Sequence, residues 1–194
     1  MTESKDLPTR KPLTRYSRGM ILLFLTLLLV GLDQATKLYA VEHLMGQAPQ
    51  SFFYDLFRIE FAKNEGAFLS LLANMPGEVR FWILTVVNGL VLIGIAVSLL
   101  LPRRMAFYSF LPLALVVAGG LGNLIDRIRF NYVIDFLNLG IGGLRTGIFN
   151  VADMAITAGF FLMIPLLMQK DPAKAPAPSP VDPLSPACPQ RPAT

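Results

Sequence analysis

The sequence predicts an all-α membrane protein with four transmembrane helices and a small extracytoplasmic β-sheet. Of its 194 residues, 54% are hydrophobic and only 15% are charged, whereas soluble domains carry roughly 25% charged residues. The apolar residues gather into four runs of about the length that crosses a bilayer, roughly 20 residues. Between these runs, two segments alternate apolar and polar residues, which is typical of half-buried strands.

Four spans are expected, at about residues 19–39, 81–101, 106–125 and 151–168. A cleaved secretory signal is the main alternative for the first run, because a basic leader precedes an apolar core. No small-x-small cleavage site follows this core, however, and the residues from Asp33 to Lys37 continue a plausible helix. We therefore expect an uncleaved first span.

The basic residues predict the orientation of the chain. The basic leader 1–18, the pair Arg103-Arg104 and Lys170 fall on one side of a four-span chain, and basic flanks mark the cytoplasmic side. Both termini are then cytoplasmic, around a four-span domain at 19–170. Membrane orientation also explains the net charge of +4, so no nucleic-acid partner is expected. The Pro-rich tail, 171–194, is expected to be disordered and cytoplasmic.

Cysteine and histidine usage narrows the chemistry. Cys188 is the only cysteine and His43 the only histidine, so a disulfide within the chain and a cysteine-based metal site are both excluded. A multi-histidine zinc centre is excluded too, and little room is left for a Ser-His-Asp triad. No serine lies near a lysine in a recognisable catalytic arrangement. We expect no metal and no cofactor.

The segments 40–79 and 126–150 face the side opposite the termini. Residues 57–61 and 132–137 each alternate in the strand pattern. Gly140, Gly142 and Gly143 supply turn positions before a short strand expected at about 145–149. A small sheet is therefore expected on the outer face of the helices.

Three aspartates, Asp126, Asp135 and Asp153, lie where apolar segments meet water. A carboxylate beside a bilayer is costly unless something holds it there, so such acids are candidates for function. Two carboxylates brought together can share a proton and activate water. Asn150 is a good N-cap, which places Asp153 in a first helical turn. The purely structural alternatives are an ion-paired helix end for Asp126, a solvent-facing strand acid for Asp135 and a capping acid for Asp153.

Further polar residues surround these acids in the expected topology. Asn123, Asp126 and Arg127 share one helix face, and Asp33 and Lys37 are spaced to pair on another. Asn64 lies in a turn that follows the first predicted strand. Just before Asn123, a surface of glycines at 119, 120 and 122 would let another helix approach closely.

In order along residues 19–168, these pieces closely resemble the lipoprotein signal peptidases, or signal peptidase II. Five anchors carry the resemblance: Asp33-Gln34-x-Thr36-Lys37, Asn64-x-Gly66-Ala67, Gly119-x-x-Gly122-Asn123-x-x-Asp126-Arg127, Val133-x-Asp135-Phe136 and Phe149-Asn150-x-Ala152-Asp153. The chain departs from the family pattern at Phe68, which follows Ala67 directly where the family often has a second alanine. No departure involves the candidate acids.

The resemblance implies an aspartic endopeptidase of the bacterial inner membrane, which cuts diacylglyceryl-prolipoproteins just before the lipidated cysteine. We expect the chain to be monomeric. Its partners would be these substrates and membrane lipids, and the cyclic peptide globomycin would inhibit it. The resemblance also implies a catalytic dyad of Asp135 and Asp153 at the outer membrane surface. The residues expected to order the site or hold substrate are Asp33, Lys37, Asn64, Asn123, Asp126, Arg127 and Asn150.

Three alternatives remain at this point. A dyad of Asp126 with Asp153 would make Asp135 structural. A small proton-coupled transporter could use membrane acids and amides as relays, although such proteins usually show paired repeats or broken helices in mid-membrane. A purely structural membrane subunit gives no reason to gather so many acids and amides on one face.

Overall fold

The computed structural model describes residues 12–66 and 75–168. The first part of the leader, the segment 67–74 with Ala67 and Phe68, and the Pro-rich tail lie outside the described residues. The helices are α1 (Arg15–His43), α2 (Gly77–Phe81), α3 (Asn88–Leu100), α4 (Phe107–Phe130) and α5 (Val151–Met168), with a π-helical stretch, Trp82–Val87, joining α2 to α3. The strands are β1 (Gln50–Phe52), β2 (Phe57–Asn64), β3 (Val133–Ile141) and β4 (Leu144–Arg145).

Four of the described helical segments are long and apolar enough to cross a membrane: Arg15–His43, Gly77–Leu100, Phe107–Phe130 and Val151–Met168. The predicted fold class is therefore confirmed. The helices extend past several of the expected span limits, and at the start of α1 a polar side chain supports the extra turn. Thr14 caps α1 by accepting a hydrogen bond from the Ser17 amide at 3.1 Å.

The sheet is antiparallel, in the order β1-β2-β3-β4. The prediction of a strand at about 145–149 is wrong in its extent. Strand β4 has only two residues, and Phe149 forms an isolated bridge with Leu137. Side-chain hydrogen bonds supplement the few backbone hydrogen bonds between β3 and residues 146–149. Asn138 donates to the Thr146 carbonyl at 2.7 Å, and the Thr146 hydroxyl accepts from the Leu139 amide at 3.0 Å.

The first four residues of β3 are buried, so this strand does not alternate between core and solvent as expected. On one face, Ile134 and Phe136 pack with Ala40 and Leu44 from the end of α1. Asp135, whose side chain points to the other face, is also buried, with 1% of its surface exposed. The carboxyl group of Asp135 is thus enclosed by protein at the end of the helices.

Helix α4 is the central helix of the bundle, and its glycines permit close packing. A Cβ atom on Gly119 would lie 2.5 Å from the Ala152 carbonyl oxygen of α5. One on Gly122 would lie 2.7 Å from Asp33 Oδ2 of α1. These approaches hold the ends of α1, α4 and α5 together, where the polar residues of the candidate site lie.

Gly119→Ala is expected to destabilise the protein by about 1–3 kcal/mol, because the new methyl group overlaps a backbone atom that cannot move alone. Gly94→Ala is the matched control, since nothing lies within 4 Å of a Cβ at that helical position. This control should be neutral or stabilising, as alanine favours helix more than glycine does. Thermal unfolding in detergent tests the difference, and equal transitions for the two variants would contradict the close packing.

Candidate active site

Asp153 lies at the start of α5, where Asn150 caps the helix. The Asp153 amide donates to Asn150 Oδ1 at 2.9 Å, and the Asn150 amide donates to Asp153 Oδ2 at 3.2 Å. This is the reciprocal arrangement of a capping box. The first turn of a helix also stabilises a negative charge. The half-buried carboxylate of Asp153 is therefore held in place at the first turn of α5.

Asp135 reaches the same region from β3. Its Oδ2 accepts a hydrogen bond from Asn64 Nδ2 at 2.9 Å, and its Oδ1 accepts one from Asn150 Nδ2 at 2.6 Å. Burial raises the pKa of Asp135 to about 7, and the nearby charge of Asp153 adds to the rise. The hydrogen bonds from the two asparagines oppose this rise without cancelling it. Asp135 can therefore hold a proton near neutral pH.

Asn150 links the two acids directly. Its side-chain amide nitrogen binds Asp135, and its side-chain oxygen binds the amide of Asp153. A buried carboxyl group with a raised pKa thus lies beside a half-buried carboxyl group at a helix N-terminus. This pairing of environments is the arrangement by which two carboxyl groups divide acid and base roles.

Asn123 orients the acids from α4. Its Oδ1 accepts from Lys37 Nζ at 3.1 Å and from Asn150 Nδ2 at 3.0 Å. Because a lysine ammonium only donates, the oxygen of the Asn123 amide must face it. The Asn123 nitrogen then faces the other way and donates to Asp153 Oδ1 at 2.8 Å. Lys37 thereby fixes the amide that positions Asp153.

Lys37 is itself buried between two carboxylates. Its ammonium lies 2.8 Å from Asp33 Oδ2 and 2.9 Å from Asp126 Oδ2. Asp33 Oδ1 accepts from the amide of Ala152 at 2.9 Å, and Asp126 Oδ2 accepts from the amide of Ile134 at 3.1 Å. The cluster thus connects α1 and α4 to the residues immediately before both Asp135 and Asp153.

Arg127 lies at the edge of this network. It interacts electrostatically with Asp153, Asp135 and Asp126. It also lines an open cavity of about 550 Å³ together with Trp82, among other residues. Neither Asp135 nor Asp153 lines this cavity. Arg127 therefore lies between the cavity and the polar network.

The structure brings eight of the predicted site residues into one hydrogen-bonded and ion-paired network, with Arg127 beside it: Asp33, Lys37, Asn64, Asn123, Asp126, Asp135, Asn150 and Asp153. Their catalytic roles stay predictions. Gln34 was given no role from the sequence, yet it donates to Asp126 Oδ1 at 2.9 Å. Gln34 lies three residues before Lys37 on the same helix face, and this spacing was the signal in the sequence that could have identified it.

No cluster of three or more histidine, cysteine, aspartate or glutamate side chains is placed to hold a metal ion within residues 12–66 and 75–168. The carboxylates of the network instead face ammonium and amide donors. What the arrangement offers chemically is a pair of carboxyl groups in different environments, held by three asparagines at the end of a helical bundle.

Comparison with known proteins identifies the family. A family model described as signal peptidase (SPase) II matches residues 25–169. A lipoprotein signal peptidase of Syntrophus aciditrophicus is 37% identical, over 86% of this chain and 99% of its own length. One from Sphingopyxis alaskensis is 38% identical over 80% of this chain and 86% of its own.

The fold agrees with two solved chains described as bacterial membrane enzyme structures obtained by the in meso method. One is 24% identical with a TM-score of 0.67, covering 81% of this chain and 93% of that one. The other is 24% identical with a TM-score of 0.66, covering 84% and 99%. With the sequence matches, the multi-pass helical fold and the order of the five motifs, the chain belongs to the lipoprotein signal peptidase (signal peptidase II) family.

Proposed function

We propose that the chain is an aspartic endopeptidase that removes signal peptides from diacylglyceryl-modified prolipoproteins, cleaving just before the lipidated cysteine. The observation that carries this proposal is the link through Asn150 between a buried acid with a raised pKa and an acid at a helix N-terminus. Family membership supplies the substrate class, because the curated relatives are lipoprotein signal peptidases.

In the proposed mechanism, ionised Asp153 removes a proton from the attacking water. Protonated Asp135 donates a hydrogen bond to the scissile carbonyl and then passes its proton to the leaving amine. The three asparagines hold both carboxyl groups in position, so little reorganisation is needed during the reaction. Since the two acids interact, they titrate as a pair.

The proposed location is the bacterial inner membrane, with both termini in the cytoplasm. Four spans return the chain to its starting side, and the basic flanks favour that side as cytoplasmic. The network of polar residues lies at the opposite ends of the helices, and this position supports an outer-leaflet location. Acyl chains on the substrate would confine the scissile bond to this level and so orient it before reaction.

A gel-shift assay with purified full-length chain and a diacylated prolipoprotein tests the proposed activity. We expect loss of the signal peptide from the lipidated substrate, no cleavage when the acceptor cysteine of the substrate is replaced by serine, and inhibition by globomycin. The unlipidated substrate is the matched control, because only the diacylglyceryl group is absent. Equal cleavage of both substrates would refute the proposed specificity, and no cleavage of either would refute the proposed activity.

The rate of cleavage is expected to fall as the pH rises through about 7. A carboxyl group with a raised pKa is neutral below that value and charged above it, and the mechanism needs Asp135 neutral. Asn64→Leu should move this alkaline limb to higher pH, because the Asn64 hydrogen bond lowers the pKa of Asp135. Initial rates across pH 6–9 measure both profiles. A flat profile, or a limb that Asn64→Leu leaves unmoved, would contradict this role for Asp135.

A further inference from the structure

The two turns of the sheet together form an exposed apolar surface, which we call the apolar tip. It consists of Phe53 and Tyr54 in the β1–β2 turn and Ile141 and Leu144 around the β3–β4 turn. The exposed fractions of these residues are 77%, 107%, 78% and 84%, respectively. Phe52, Leu56 and Leu139 beside them are also exposed. A concentration of exposed apolar side chains usually marks an interaction surface.

The strand register places both turns at the end of the sheet remote from the candidate active site. Asn64 pairs with Val133 near the helices, whereas Phe57 pairs with Leu139 at the other end. With about 3.3 Å per strand residue, Ile141 lies about 20 Å from Asp135 along β3. The turns are joined by a hydrogen bond from the Gly140 amide to the Leu56 carbonyl at 2.9 Å. The apolar tip is thus one surface, separate from the network of catalytic candidates.

The backbone of the first turn is held in an unfavourable conformation. Phe53, Tyr54 and Asp55 have φ angles of 54°, 55° and 71°, a region that residues other than glycine rarely adopt. Such a conformation persists only where its surroundings enforce it. Here Asp55 is clamped by Ser51 at 2.7 Å and by Arg58 Nη2 at 2.6 Å. These hydrogen bonds to Asp55 keep the turn in a conformation that exposes Phe53 and Tyr54 on the surface.

Arg145 braces the same turn from the neighbouring hairpin. Its Nη1 donates to the Asp55 carbonyl at 2.7 Å and lies 3.2 Å from Asp55 Oδ2. With Arg58, two arginines therefore face one aspartate directly beneath the exposed aromatics. The base of the tip is thus charged, since Arg58 also interacts electrostatically with Glu60, and charged groups beneath exposed aromatic side chains suit the headgroup level better than a dry apolar interface.

We propose that the apolar tip inserts into the headgroup region of the bilayer and anchors the free end of the sheet to the membrane surface. The near end of the sheet is tied to α1 through the contact of Ile134 and Phe136 with Ala40 and Leu44, so the bilayer lies beside it. Aromatic and aliphatic side chains with a tyrosine hydroxyl are typical of the membrane–water boundary. The sheet then lies along the membrane, anchored at both ends. This inference rests on the membrane spans and not on peptidase activity.

A spin label at Gly143→Cys tests the proposal, in full-length chain with Cys188→Ser reconstituted in liposomes of zwitterionic and anionic phospholipid. Gly143 lies in the β3–β4 turn, and nothing lies within 4 Å of a Cβ there, so the label replaces no apolar contact. We expect the label to be more accessible to oxygen, which enriches in lipid, than to a water-soluble nickel chelate. In the double variant Phe53→Ser/Tyr54→Ser, the ratio of oxygen to nickel accessibility should fall several-fold.

Met45→Ser is the matched control, because Met45 is also exposed (54%) and apolar but lies in the loop before β1. It should leave the ratio unchanged. Thermal unfolding should be alike in all variants, since the replaced side chains face solvent. Nickel accessibility as high as that of a free spin label would overturn the anchor. Protection from both reagents would also overturn it, because this pattern indicates that another protein molecule covers the tip.

Discussion

Asp135→Asn is expected to lower the cleavage rate of a diacylated prolipoprotein by at least about 10²–10⁴-fold, the usual contribution of a general acid or base. The amide has nearly the shape of the carboxyl group but cannot give up a proton. The loss should occur without unfolding. The new side-chain NH₂ group at position 135 would face Asn64 Nδ2, which is also a donor. Rotation of the Asn64 amide by about half a turn would present Asn64 Oδ1 instead, and this oxygen has no other partner among the described residues.

The measurement is the initial rate in the gel-shift assay, together with a thermal transition for each variant. Asp153→Asn should cause a loss of similar size. The double variant should be no slower than either single variant, because residues that act as a unit are not additive. Substantial activity in Asp135→Asn or in Asp153→Asn would remove the proposed dyad.

Asp126→Asn separates this dyad from the competing pair of Asp126 and Asp153. Asp126 is buried and accepts from Gln34, Lys37 and the Ile134 amide. These contacts favour a positioning role, so Asp126→Asn should lower both the thermal transition and the activity. Near-complete loss of activity with an unchanged transition would instead favour Asp126 as a catalytic acid.

Local patterns in the sequence predicted the spans, the cap at Asn150 and the spacing of Asp33 and Lys37, because each depends on neighbours within one or two helical turns. The contacts of those residues with partners distant in the sequence could not be predicted in this way. Asp33 also binds the amide of Ala152, and that contact exists only because α1 and α5 pack together. The five anchors nevertheless allowed the residues of the network to be named, through the resemblance.

Two parts of the outer segments escaped prediction for different physical reasons. β1 has only three residues, and its backbone pairing with β2 defines it more than any pattern of its own. The turn after it contains no glycine, although Phe53, Tyr54 and Asp55 all adopt positive φ angles. Sequence rules assign such angles to glycine, asparagine or aspartate, so the positive φ angles of Phe53 and Tyr54, in a turn that Arg145 contacts from the neighbouring hairpin, cannot be recognised from those residues.

Lys37→Met is expected to destabilise the protein by about 3–5 kcal/mol, the usual cost of removing one partner from a buried ion pair. Only 2% of Lys37 is exposed, and Asp33 and Asp126 are exposed by 1% or less. Without the ammonium, two buried carboxylates repel each other at the position from which they hold the amides of Ala152 and Ile134. Thermal unfolding in detergent measures the loss, and cleavage should fall with it because Asn123 loses the donor that orients it.

Lys63→Met is the matched control, since the Lys63 side chain is exposed and lies 5.1 Å from the centre of the Tyr132 ring. Its replacement should cost about 1 kcal/mol or less. The variant that combines Lys37→Met with Asp33→Asn and Asp126→Asn should recover part of the stability, because it removes the two uncompensated charges. Cleavage should not recover with stability, because the triple variant still lacks the donor to Asn123 and the carboxylates that hold the amides of Ala152 and Ile134. If Lys37→Met unfolded at the same temperature as Lys63→Met, the charge cluster would not be what holds α1, α4 and the two acid-bearing segments together.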